Sequence, residues 1–343
     1  MKKFLKNIFR NENSTNEKGR DYRILFATDI HGSNVCFRKL LNIANHEQLK
    51  PDAIIIGGDI TGKDLIYIVK DSQKETYYST ERGETVTFNS KAEAVLHEKK
   101  ASDSGSYIHW CNHDEYLQLT AERKMQNELL KKLIEERVKE WVAMAEKKLA
   151  ENNCIFIMNT GNDDFFSVDT FIKLSSRVIF PEGKSILLDN GVTVISCGYT
   201  NLTPFNCPRD IGEEELFQKI DSYIHEFLAN DGNLKECIFN LHCPPINSKL
   251  DVGPKLDSEK RPQLSAFGKE TDNVGSVAVR NIIEKYSPLL GLHGHIHESP
   301  GIDSIGDTVI INPGSEYQSG ILKFAMIDFE NKKLKKYYLR TAI

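Results

Sequence analysis

YRILFATDIH (22–31) and AIIIGGD (53–59) are short apolar runs that each end in a residue with chemistry to offer. YRILFAT (22–28) and AIIIG (53–57) are too short for helices, and their unbroken apolar character predicts strands buried on both faces. Between them, VCFRKLLNIANHEQLK (35–50) places Phe37, Leu40, Leu41 and Ala44 at a helical period. A strand, a helix and a second strand in this order predict a parallel pair and a mixed α/β fold.

Working outward, residues 62–152 break this rhythm. IYIVKD, TYYST and GETVTFN read as three strands, followed by a charged helical stretch. Apolar positions 130, 134, 138, 141, 142, 145 and 149 then predict a helix of about ten turns ending near Asn152. CIFIMNT (154–160) is the next buried strand. We therefore read about 64–120 as a cap inserted into one large domain (21–343), with a long helix at about 121–152 leading back. ILLDNGVTVISCGYT (186–200) predicts a hairpin turning at Asn190-Gly191. ECIFNLHC (236–243), LLGLHG (289–294), TVIINPGS (308–315) and a terminal pair near 321–329 and 333–341 supply further strands. Helices are expected near 213–229 and 274–286.

Composition narrows the function. The 343 residues carry 49 acidic and 44 basic side chains, a net charge of −5, which disfavours nucleic acid as a partner and favours a small anion. No apolar run approaches the ~20 residues of a membrane-spanning helix. Seven cysteines (36, 111, 154, 197, 207, 237, 243) include no CxxC pair, so neither a disulfide framework nor a thiolate zinc site is read from them. A reducing cytoplasm is the expected location. Residues 1–20 read as a flexible basic segment; an amphipathic surface helix through Phe4, Leu5, Ile8 and Phe9 is the competing reading.

The residues with chemistry follow the strands, where open α/β sheets bind ligands. They are Asp29-Ile30-His31, Gly57-Gly58-Asp59, Gly161-Asn162-Asp163-Asp164, His242 and Gly294-His295-Ile296-His297. One strand-end aspartate is an ordinary turn former or helix cap. Five strand ends presenting oxygen or imidazole donors are not. Asp29, His31, Asp59, Asn162, His242, His295 and His297 form a mixed O/N donor set without thiolate, suited to Mn²⁺, Fe or Zn²⁺. Seven donors exceed what one catalytic ion with an open position needs, and suit two ions sharing a carboxylate.

The ordered motifs DIH, GGD, GND, H and GHIH resemble those of the calcineurin-like metallophosphoesterases. HCPP, NVGS, LLGLHGHIHES and INPGSEY are most similar to the prokaryotic Icc-related branch. The resemblance implies a four-layer fold, a two-sheet β-sandwich flanked by helices. It implies two divalent metal ions, Mn²⁺ foremost with Fe or Zn²⁺ as alternatives. Asp29, His31 and His297 would hold one ion, Asn162, His242 and His295 the other, and Asp59 would bridge. Asp59, Asn162, Asp163 and His242 are the implied catalytic positions. The implied reaction is hydrolysis of a small phosphate ester, a diester favoured, by in-line attack of a hydroxide bridging the ions. The rival readings are a non-catalytic metal-binding scaffold of the same fold, and a nuclease or cyclic-nucleotide phosphodiesterase.

Asp163 departs from the pattern, since many relatives carry histidine there. Nearby cations keep a carboxylate ionised, which makes it a poor general acid near neutrality. A water on the metals or an insertion residue is then expected to protonate the leaving group, unless that group needs no proton. Tyr67, Tyr77, Tyr78, His109, Trp110 and His113 either face the substrate from the cap or pack it onto the domain. His293 matches no ligand position and reads as a buried histidine or a group orienting a ligand. Asn312-Pro313-Gly314-Ser315 reads as a turn near the site.

Overall fold

Ile24 and Phe26 leave strand Tyr22–Ala27 on one side and enter a core shared by two sheets, while Leu25 and Ala27 leave on the other and meet helices. This alternation, with every residue of the strand buried, is what a central strand of a layered fold requires. The structure is a computed structural model and describes residues 21–81, 83–265 and 268–343. The basic segment 1–20 and its amphipathic alternative lie outside the described residues.

The first six-stranded sheet runs, in spatial order, Lys333–Ala342, Leu322–Glu330, Tyr22–Ala27, Ala53–Ile56, Ile155–Met158 and Val178–Ile179. Its first three strands pair antiparallel and the rest parallel, with Ile24 opposite Ala53 and Ala53 opposite Ile155. The second sheet runs Gly301–Ile305, Thr308–Asn312, Leu290–Leu292, Cys237–Leu241, Thr193–Cys197 and Ser185–Leu187. Its four inner strands are parallel and both edge strands antiparallel. Ile55, Ile157 and Ile327 of the first sheet pack against Val194, Ile238 and Ile311 of the second. Helices Asn34–Ala44 and Arg123–Lys148 cover the outer face of one sheet, and Glu213–Ala229 and Val277–Tyr286 that of the other. The result is the expected four-layer α/β sandwich, and the Asn190-Gly191 hairpin and the terminal strand pair fall where the sequence places them.

Residues 65–112 form a separate four-stranded sheet in the order Glu84–Phe88, Thr76–Glu81, Leu65–Asp71, Tyr107–Asn112. Three of these strands were expected. The fourth, YIHWCN, falls in the stretch read as helical, because its six residues lie between the helices Lys91–Asp103 and His113–Ala121. It pairs parallel with Leu65–Asp71, so it gains its hydrogen bonds from a partner some 40 residues away. The ten-turn helix is also corrected. Glu122 is extended (φ −117°, ψ 96°) and divides it into His113–Ala121 and the 26-residue helix Arg123–Lys148. Trp141 anchors that helix, stacking on Phe37 with ring centroids 4.3 Å apart and donating to Asn34 Oδ1 at 2.7 Å. No helix among the described residues is long and apolar enough to cross a membrane.

Candidate metal centre

The C-terminal ends of the parallel strands meet at one edge of the sandwich. Asp29, Asp59 and Asn162 follow strands of the first sheet; His242, His295 and His297 follow strands of the second. The chain thus brings Asp29, His31, Asp59, His242, His295 and His297, spread over 269 positions of sequence, into one cluster. The loop that carries Asn162 abuts it through Gly161 and Asp163, which lie against Asp59. Ligand atoms of Asp29, His31 and His297 lie within 4.8 Å of one another, as do those of Asp59, His242 and His295. His31, Asp59 and Asp163 form a third such group, so Asp59 belongs to two.

The distances show convergence. His31 Nε2 and His297 Nε2 are 3.0 Å apart, and His297 Nε2 is 3.4 Å from Asp29 Oδ1. Asp59 Oδ2 is 3.7 Å from His31 Nε2, and its Oδ1 is 3.3 Å from His242 Nε2, reaching toward both halves of the cluster. Asn162 is buried and donates through Nδ2 to Asp210 Oδ1 at 2.9 Å, while its Oδ1 has no hydrogen-bond partner. Both ring nitrogens of fully buried His242 also lack one. Buried polar atoms without partners are costly. Electron-pair donors left so, among two carboxylates and four imidazoles, fit divalent cations as the missing partner.

The backbone is strained where these side chains are presented. Asp29, His31, Asp59 and His295 have φ of +53°, +38°, +48° and +67°, a region non-glycine residues rarely adopt. Two glycines allow the loops to close on one another. An added Cβ at Gly161 would lie 2.2 Å from Asp59 Oδ1, and one at Gly294 would lie 2.4 Å from Asp29 Oδ2.

Neighbouring groups aim the ligands. His31 Nδ1 lies 3.2 Å from the Thr61 carbonyl; a proton assigned there leaves Nε2 with its lone pair facing the cluster. The backbone N–H of His295 donates to both oxygens of Asp29. Asp164 clasps the two metal-facing loops, accepting from the N–H groups of Ile60, Thr61 and Gly161 and from the Thr61 hydroxyl. Burial and the charge of Asp59 raise its pKa to about 7. His293 is buried and its Nδ1 lies 2.8 Å from Leu241 O and 3.0 Å from Cys243 O, carbonyls that flank His242. It therefore orients that backbone, in keeping with the second of its expected roles.

Burial opposes ionisation of Asp29 and Asp59, but the histidines outweigh it and hold both carboxyls below their ordinary range. For His242, burial is likewise outweighed, here by Asp59, and the pKa rises to about 9. Burial and the charge of His242 push His295 down to about 4.

Sequence reasoning missed Lys63, Cys207 and Asp210. Lys63 Nζ lies 2.5 Å and Cys207 Sγ 2.8 Å from Asp163 Oδ1. Burial opposes the Lys63 charge, but Asp163 outweighs it and raises its pKa. Lys63 carried a usable signal, standing four residues after Asp59 in the same loop; Cys207 and Asp210 carried none. The cap aromatics pack against one another. Tyr67 meets His109 and Tyr116 edge-on, Tyr77 meets Trp110, and Tyr78 Oη is 2.8 Å from His113 Nδ1. Gly314 N donates to Asn312 Oδ1, and Ser315 Oγ to the Asp29 carbonyl, so the 312–315 turn does border the site.

The sequence profile of the calcineurin-like phosphoesterases matches residues 22–299, and this chain belongs to that family. A protein of Methanocaldococcus jannaschii, itself uncharacterized, is 33% identical over 124 residues, 36% of this chain and 48% of its own length. The chain therefore spans about half of that curated relative. One crystal structure superposes with TM-score 0.51 and 15% identity over 94% of this chain and 99% of its own. The protein TT1561 of Thermus thermophilus gives 0.50 and 11% over 92% and 97%. At such identities the two structures speak to fold alone. Family and Asp/His clusters together point to divalent metal ions at this centre.

Proposed function

We propose that the chain hydrolyses a small phosphate ester, a diester in preference to a monoester, with two divalent ions, Mn²⁺ foremost, at this centre. Asp29, His31 and His297 hold one ion, Asn162, His242 and His295 the second, and Asp59 bridges. The observation that carries this reading is the pair of separate donor triplets, Asp29-His31-His297 and Asp59-His242-His295, joined by a third group that shares His31 with one and Asp59 with the other. When bound, two such ions supply Lewis acidity and an activated water nucleophile. The protein residues do the rest. Asp59 fixes the spacing of the two halves, Asp164 locks their loops, and hydrogen-bond partners behind the ligands, such as the Thr61 carbonyl on His31, aim them.

The same reading takes about 64–120 as a cap on the catalytic domain and 121–152 as the return from it. Tyr107, at the start of the fourth cap strand, supports this: its hydroxyl accepts from the Gly62 N–H, in the loop that carries Asp59. The test is metal content and turnover of bis-p-nitrophenyl phosphate and p-nitrophenyl phosphate after Mn²⁺ reconstitution. About two ions per chain with faster diester cleavage is the expected result. Metal without turnover of any ester would leave the scaffold reading standing.

A further inference from the structure

Asp163 occupies the position where many relatives carry a histidine, and a lone carboxylate there would repel a phosphate. The structure does not leave it alone. Its Oδ1 accepts from Lys63 Nζ at 2.5 Å and from Cys207 Sγ at 2.8 Å, while its Oδ2 stands 4.0 Å from His31 Nδ1. The Asp163 N–H is bound to Asp59 Oδ1 at 3.0 Å, which fixes the carboxylate relative to the cluster. A single carboxylate therefore separates the Lys63 ammonium from the candidate ligand His31.

The Lys63 ammonium has three N–H donors. One is on Asp163 and a second points toward Cys207 Sγ at 3.5 Å; no further partner is present among the described residues. The side chain is 43% exposed, so the remaining donor is open to a ligand from solvent. Its backbone is also held. Gly62 N bonds the Tyr107 hydroxyl, and the Asp64 carbonyl accepts from Tyr107 N, so Lys63 is gripped at the junction between metal loop and cap.

We infer that Lys63 is the protein's own phosphate-binding cation, with Asp163 and Cys207 as the residues that position it. This deepens the proposed function and rests on the metal centre it names, not on turnover there. In this arrangement Asp163 acts through Lys63: it neutralises none of the substrate's charge, but holds an ammonium beside the candidate ligand His31, where it would meet a phosphate bound at the centre. A charge-assisted contact of this kind stabilises bound phosphate and the charge that grows on its oxygens during in-line attack.

The experiment uses the full chain reconstituted with Mn²⁺, as wild type, K63R, K63M and D163N. Inorganic phosphate is titrated calorimetrically, metal content is measured, and bis-p-nitrophenyl phosphate kinetics are split into kcat and KM. K63M should keep its metal yet bind phosphate about 10- to 100-fold more weakly, the range expected for a lost charge-assisted hydrogen bond. K63R should recover most of that affinity. D163N should weaken binding less, and should add little to K63M, because its effect passes through Lys63. Unchanged phosphate affinity in K63M, loss of metal in K63M, or a wild type that binds no phosphate would each overturn the inference. Phosphate binding that depends on Lys63 in a protein that cleaves no ester would instead refute the hydrolase reading and leave this one intact.

Discussion

Asn162 and Asp210 lie 48 residues apart and meet through one hydrogen bond, Nδ2–H to Oδ1 at 2.9 Å, which leaves the buried Asn162 carbonyl oxygen without a hydrogen-bond partner. Asp210 also accepts from Thr203 N, Thr203 Oγ1 and Cys207 N. Burial opposes its charge, but these donors outweigh it and hold the carboxyl below the usual range. Asp210 is thus a fixed ion to which a neutral amide is tethered. The substitution D210A should weaken the second metal by about 10- to 100-fold, the usual loss when a group behind a ligand is removed. Metal titration checks it; unaltered affinity would show that Asn162 needs no such tether.

Asp59 lies within reach of both halves of the cluster, 3.7 Å from His31 Nε2 and 3.3 Å from His242 Nε2. Cations that bind the folded centre and not the unfolded chain stabilise the fold by mass action, about 2.7 kcal/mol at one hundred times Kd. Chelation should therefore lower the thermal midpoint, and readdition of Mn²⁺ should restore it. D59N should shrink that metal-dependent shift more than a substitution at any single-site ligand. A midpoint indifferent to chelator would contradict a bound ion in the folded protein.

Legibility in the sequence followed the range of the interactions. YRILFAT and AIIIG disclosed their strands because burial on both faces leaves a continuous apolar run. Asp29, His31, Asp59, Asn162, His242, His295 and His297 were readable because each stands just past such a run, often beside a glycine. The break at Glu122 was not readable, since the charged positions around it fit a helix on either side. Strand Tyr107–Asn112 was hidden for a different reason: its pairing with Leu65–Asp71 is parallel and distant, so no hairpin turn links the two. Asp210 and Cys207 reach the centre only through folding of the 200–210 loop, where sequence distance to Asn162 and Asp163 carries no period to follow. The positive φ of Asp29, His31, Asp59 and His295 is likewise a property of the closed loops.

Glu182 offers a pH test away from the centre. Its Oε2 accepts from Gly198 N at 2.7 Å and its Oε1 from the Tyr223 hydroxyl at 3.2 Å. Burial outweighs these bonds and raises its pKa above the ordinary 4.5. Below pH 4.5 the group is protonated in folded and unfolded chains alike. As pH climbs through the window up to the raised value, the folded state holds the extra proton, so stability falls. Glutamine carries no such penalty. The stability of E182Q relative to wild type should therefore rise with pH across that window and level off above it, as read by urea unfolding at a series of pH values. A difference flat in pH would mean the carboxylate is solvated in the folded protein.

Arg23 and Asp328 stand opposite each other in adjacent strands of the first sheet, although 305 residues separate them in sequence. Arg23 Nε and Nη2 donate to the two carboxylate oxygens at 2.5 and 2.9 Å, and Nη1 donates to the Leu49 carbonyl at 3.0 Å. Both residues are buried, at 5% and 6% exposure, so the paired charges solvate one another in the sheet. Removing Asp328 takes two charge-assisted hydrogen bonds from a buried guanidinium, at a cost of roughly 3–5 kcal/mol. D328A should show that loss in urea unfolding. Replacing both by apolar residues, as in R23M with D328L, removes the stranded charge along with the attraction, so the double variant should be more stable than D328A alone. The Leu49 carbonyl loses its donor in the double variant, which keeps it below wild type. A double variant no more stable than D328A would show that the pair's value lies in the Arg23 contacts to the backbone, and not in the ion pair itself.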